Sequence, residues 1–218
     1  MRYWPHALAA LVGLSALGGT AEAHPHVLTD VQEVVVFDKQ GQVTGLKSIW
    51  RFDDAFSAYA VQGYDDKGKY TRASLQPLAQ INVDSLADFK YFTSLKIGDQ
   101  QIPMAKKATD YWLAYENGVL TLHFTLATSR PVPARGRTFE FDIYDPDYFV
   151  AYSFMTDRPP VLLADAPGEC SIKVNQPDAL DAQTAILLAQ IPASQRSVPD
   201  SLKMITSKLN NGFRVTCP

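Results

Sequence analysis

Residues 111–126 restrict the fold more than any other stretch. They run Tyr111-Trp112-Leu113-Ala114-Tyr115, then Glu116-Asn117-Gly118, then Val119 to Leu126. Asn-Gly tolerates the positive φ angles of a type I′ turn, whose twist matches that of two antiparallel strands, so the segment reads as a β-hairpin. Leu122, Phe124 and Leu126 share one face, and His123 lies on the other with Thr121 and Thr125. A lone hairpin is marginal in water, so the chain needs more strands to bury that apolar face. Val27 to Asp38 contains the β-branched run Val34-Val35-Val36-Phe37, Asp38-Lys39-Gln40-Gly41 turns the chain, and Val43 to Phe52 alternates as an antiparallel partner. Thr138 to Tyr144, Tyr148 to Phe154, Ser171 to Val174 and Phe213 to Cys217 read as further strands, with Arg130-Pro131-Val132-Pro133 as a rigid connection.

Helical signals are short and scattered. Asp53 is placed to cap a helix carrying Phe56 and Tyr59. Thr71 to Phe89 has helical spacing, expected as two helices broken near Asn82-Val83-Asp84. Asp178 to Gln190, capped by Asp178 or Asn175, and Ser201 to Leu209, stopped by Asn211-Gly212, complete the set. Strand–helix–strand alternation is absent. The expected class is α+β: a mainly antiparallel, sandwich-like β-sheet structure with several short helices inserted and near the C-terminus.

Near its start the sequence carries Arg2, then an apolar run from Ala7 to Leu17, then Ala21-Glu22-Ala23. That order is a secretory signal with an A-x-A cleavage site, and the run is shorter than the ~20 residues of a membrane span. Residues 1–23 are therefore expected to be a cleaved signal and 24–218 one periplasmic β-rich domain. Forty-six per cent hydrophobic residues suffice for a buried core, and a net charge of −3 gives no electrostatic case for nucleic acid. The pair Cys170 and Cys217 fits a structural disulfide closing a loop of about 47 residues. The sequence lacks a G-x-S-x-G elbow, a phosphate-binding glycine loop and H-E-x-x-H, so an enzyme is not expected.

Cleavage after Ala23 would leave His24-Pro25-His26 at the chain start. A free amine and two imidazoles within three residues form a candidate metal chelate. In an extended chain His24, His26, Leu28 and Asp30 point to one side. Pro25 has no N–H to give up, which disfavours the square-planar amide chelate of copper and leaves an N/O site suited to zinc, nickel or cobalt. Asp145 and Asp147, flanking Pro146 between aromatic residues, and His123 are the candidates to complete the ligand shell. Each has a plainer reading: an Asx-type turn for the aspartates, a hydrogen-bonded strand residue for His123, and a polar chain start for the N-terminal histidines. Asp53-Asp54 and Asp65-Asp66 are accounted for by a helix cap and a solvated loop.

The start His24-Pro25-His26-Val27, the segment Trp50-x-Phe52-Asp53 running into Phe56-Ser57, and Tyr144-Asp145-Pro146-x-Tyr148-Phe149 together resemble one bacterial family. It is domain-of-unknown-function family 1007, often labelled the periplasmic component of an uncharacterised ABC-type transport system and often found beside nickel/cobalt permeases. The resemblance spans essentially the whole mature chain. It implies a periplasmic accessory of divalent transition-metal transport, partnered by a membrane metal permease or ABC-type components. Two other readings stand beside it. One is a non-catalytic interaction module docking a permease through aromatic segments around Trp50, Trp112 and Tyr148. The other is a copper-brace oxidase-like enzyme, which requires His24 and His123 to meet.

Overall fold

The computed structural model describes residues 25–175, 177, 180–192, 195 and 197–218. The expected signal (1–23) and His24 lie outside the described residues.

Strand β1 (Val27–Phe37) pairs antiparallel with β2 (Gln42–Phe52). The turn between them is fixed by the Asp38 carboxylate, which accepts the amides of Gln40 (3.0 Å) and Gln42 (2.9 Å). Helix α1 (Asp54–Ala60) starts where the Asp53 side chain accepts the Phe56 amide at 2.8 Å. Helix α2 (Gln76–Asp88) is continuous through Asn82-Val83-Asp84, where a break was expected. Val83 is buried in the core there and the Asn82 amide donates to the Leu78 carbonyl, so packing overrides three weak helix formers. After a turn at Lys90–Phe92 come β3 (Thr93–Ile97), β4 (Gln100–Gln101), β5 (Thr109–Glu116) and β6 (Val119–Pro133). The β5–β6 hairpin turns at Asn117 (φ 53°) and Gly118 (φ 84°), as Asn-Gly dictates. The chain continues through β7 (Arg137–Ile143), β8 (Val150–Phe154), β9 (Val161–Ala164), β10 (Ser171–Asn175), α3 (Ala182–Ala189), α4 (Asp200–Thr206) and β11 (Asn211–Cys217).

Two sheets result. The first has the order β5-β6-β2-β1, and the remaining edge of β1 is taken by β8 along Val27–Val31 and by β9 along Glu33–Val36. Both of those pairings are parallel. The second sheet, β10-β11-β7-β3-β4, is antiparallel at every pairing. Val31, Trp50 and Phe124 of the first sheet share one hydrophobic core with Phe139, Phe141 and Phe213 of the second. Phe154 and Phe213 meet edge to face across the two sheets, ring centroids 6.3 Å apart. A smaller cluster of Tyr148, Leu188, Ile191 and Val198 lies beneath α3. The fold is α+β, as expected.

Two further expectations differ from the structure. Arg130–Pro133 continues β6 instead of breaking away, pairing Val132 with Val43 and Pro133 with Gln42. The β5 pairing ends at Thr125, so the prolines stand where β6 has a partner strand on one side only and a missing N–H is tolerated. Gly45 faces the kink in that pairing, where a Cβ would lie 2.5 Å from the Leu126 carbonyl oxygen, and no side chain fits. Helix α3 is capped by Asp181, whose carboxylate accepts the Thr184 amide at 2.9 Å. Asn175, one of the two expected caps, ends β10 instead, and Asp178 lies outside the described residues.

Cys170 and Cys217 are disulfide-bonded. Cys170 immediately precedes β10, and its neighbour Ser171 pairs with Thr216, so the bridge closes the end of a strand pair. Among the described residues no helix is long and apolar enough to cross a membrane. The bridge is compatible with an extracytoplasmic location, where oxidising conditions preserve disulfides.

Candidate functional site

The structure brings His26, just before β1, to the β7–β8 loop. The His26 amide donates to the Phe149 carbonyl (2.9 Å), and the His26 ring stacks on Phe149 with centroids 4.4 Å apart. Next along the chain, the Leu28 amide donates to Asp53 Oδ2 (2.8 Å) and the Asp53 amide returns a bond to the Leu28 carbonyl (3.0 Å). The beginning of β1 is thus held from both sides.

Asp145 builds the loop that receives it. One carboxylate oxygen accepts the Asp147 amide (2.9 Å), and the other accepts those of Phe149 (2.9 Å) and Val150 (3.0 Å). Burial pushes its pKa up, against the downward pull of those three donors. With both oxygens engaged, Asp145 acts as a scaffold. Asp147 lies at the rim of a cavity of about 340 Å³ that is walled by Leu86, Phe89, Phe92, Phe149 and Val150.

The other wall is conformationally strained. Lys90, Tyr91 and Phe92 adopt φ values of 53°, 55° and 48° in succession. Left-handed backbone costs a non-glycine residue about 1–2 kcal/mol. Buried Tyr91 anchors the turn: its hydroxyl accepts the Ala108 amide (2.8 Å) and its carbonyl accepts the Thr93 hydroxyl (2.8 Å). The Phe92 carbonyl accepts the Tyr144 amide (2.9 Å). The turn leaves Phe89 58% exposed, stacked on Phe92 at 5.2 Å.

His123 is elsewhere. Its ring lies flat on Trp112 (3.7 Å, 3° between planes), and the Arg72 guanidinium sits 4.8 Å from the Trp112 ring centre. Burial, with the Arg72 charge second, pulls its pKa down to about 4, so it is neutral at pH 7. Register places His123 beside Ile49 and Ile49 beside Gln32, six residues along β1 from His26. At about 3.3 Å per residue, His123 and His26 are about 20 Å apart, too far to share an ion. Among the described residues no group of three or more His, Cys, Asp and Glu side chains is arranged to hold a metal ion.

The aromatic docking residues are also redistributed. Trp50 is 1% exposed, packed against Phe124 and Tyr152, and Tyr148 is buried in the cluster under α3. Both point inward by strand parity or loop packing, so neither is available to a partner. One buried group escaped the sequence reading. Glu33 is completely buried, accepts hydrogen bonds from Ser48 Oγ (2.7 Å) and Trp50 Nε1 (3.2 Å), and has a pKa raised by burial to about 8. Its position between Val31 and Val35, on the core-facing parity of β1, was the available signal.

Residues 8–217 match the family described as "Protein of unknown function (DUF1007)". The chain belongs to this family. An uncharacterized protein of Haemophilus influenzae is 25% identical over 181 residues, covering 83% of this chain and 85% of that protein. Several residues that carry the resemblance have structural duties in this DUF1007 protein. Trp50 fills the core, Asp53 caps α1 and clamps Leu28, and Asp145 ties the β7–β8 loop.

Proposed function

We propose that this DUF1007 protein is a periplasmic accessory of divalent transition-metal transport, exported by the signal at residues 1–23. Its mature N-terminus chelates zinc, nickel or cobalt, with copper less favoured, and presents the ion to a membrane permease or ABC-type component. His24 supplies its amine and ring, His26 supplies its ring, and Asp147, on the loop whose Phe149 His26 stacks against, supplies a carboxylate. Asp145 holds the receiving loop, and His123 takes no part.

The observation that supports this reading is the stacking of His26 on Phe149. Two segments more than a hundred positions apart, each suited by composition to bind metal, become neighbours. The clamp on Leu28 pre-orients the chain start, which lowers the ordering cost of a chelate. In the mature protein His26→Ala is expected to weaken zinc affinity by roughly tenfold or more, Asp147→Asn to weaken it less, and His123→Ala to leave it unchanged. Competition with a chromophoric zinc chelator measures all three. A loss confined to His123→Ala would move the site to the Trp112 face of the first sheet.

A further inference from the structure

The exposed Phe89 ring and the half-buried Phe92 ring form a ridge between two adjoining cavities, of about 340 Å³ and 390 Å³, which share both rings as a wall. The first is floored by Phe149 and edged by Asp147, with the buried, already engaged Asp145 behind it. The second is edged by Asp88 and Asp142. Lys90 is the cation that lines either one among the described residues. Lys203, whose charge feels Asp147, is already paired with Asp200 at 2.7 Å. Aromatic faces attract cations, and carboxylates at the rim add directional charge, so the surface is complementary to basic groups carried on apolar stems. Two depressions astride one ridge match alternate side chains of an extended segment, which project at regular intervals to one side. The ridge itself is held up by the left-handed turn at Lys90–Phe92, and strain of that kind gathers at working sites.

We infer that the ridge and its two cavities bind a basic, extended peptide segment of a partner protein, seating lysine or arginine side chains on either side of Phe89 and Phe92. This interaction shares Asp147 with the proposed chelate but needs no metal, so its test is run in EDTA. A random heptapeptide library displayed on phage is selected on the immobilised protein, and the best sequence is synthesised for titration. Recovered sequences are expected to be enriched in lysine and arginine with apolar neighbours, and binding to weaken with added salt. Phe89→Ala and Asp147→Asn are each expected to reduce affinity roughly tenfold. Both positions lie at the cavity rim, and thermal unfolding verifies that the variants remain folded. Enrichment of acidic or uncharged sequences, or an affinity unchanged by either substitution, would overturn the inference.

Discussion

Replacing Glu33 with glutamine is expected to raise the unfolding free energy at pH 7 by about 3 kcal/mol and to flatten its dependence on pH. Glu33 lies in the middle of β1, completely buried, and burial lifts its pKa from 4.5 to about 8. Below pH 4.5 it is protonated both folded and unfolded and contributes nothing to the pH dependence. As the pH rises, the unfolded chain releases this proton while the folded chain keeps it. Stability therefore declines by roughly 1.4 kcal/mol per pH unit until the folded pKa is reached. Glutamine mimics the protonated acid, with its oxygen accepting from Trp50 and its amide donating to Ser48, and it carries no proton to lose. Urea denaturation of both proteins near pH 5 and near pH 8 reads the effect directly. Curves that remain parallel across that window would show that Glu33 is ionised in the folded state at no cost.

Breaking the disulfide is expected to cost about 2–4 kcal/mol and to loosen one strand before the others. The bridge closes a 47-residue segment that includes α3 and α4, and loop-closure entropy of that length sets the size of the loss. It joins β10, an edge strand with largely exposed residues, to β11, which is held on its other side by β7. Without it, β10 retains only its pairing to β11, so its amides should exchange with solvent faster than those of β7. Hydrogen exchange on the Cys170→Ser/Cys217→Ser protein, compared with the oxidised form, tests this ordering. Equal acceleration in β7 and β10 would show that the bridge supports the whole sheet instead of its edge.

Features governed by local chemistry were legible in the sequence. The Asn117-Gly118 hairpin, the Asp53 cap and the β1–β2 pair all appear where turn and cap residues demanded. Decisions made by tertiary packing were not. The parallel placement of β8 and β9 along one edge of β1 depends on distant segments, and nothing local to Val150–Phe154 or Val161–Ala164 encodes it. The strands β3 and β4 are short enough to lack a periodic signal. At the candidate site, residue types pointed to His26 and the Asp145–Phe149 loop, and the fold makes them neighbours. Composition alone gave no means of separating Asp145, consumed by three backbone donors, from Asp147 at a cavity rim. The left-handed turn at Lys90–Phe92 contains no glycine to announce it.

The proposed transport role rests on a chelate built on the mature amino terminus. Calorimetric titration of zinc, nickel, cobalt and copper into protein beginning at His24, beside a matched protein carrying one extra N-terminal residue, tests it most directly. Micromolar or tighter binding of zinc, nickel or cobalt by the authentic form, on the order of 8 kcal/mol, and its loss in the extended form are expected. Equal binding by both, or binding by neither, would contradict it.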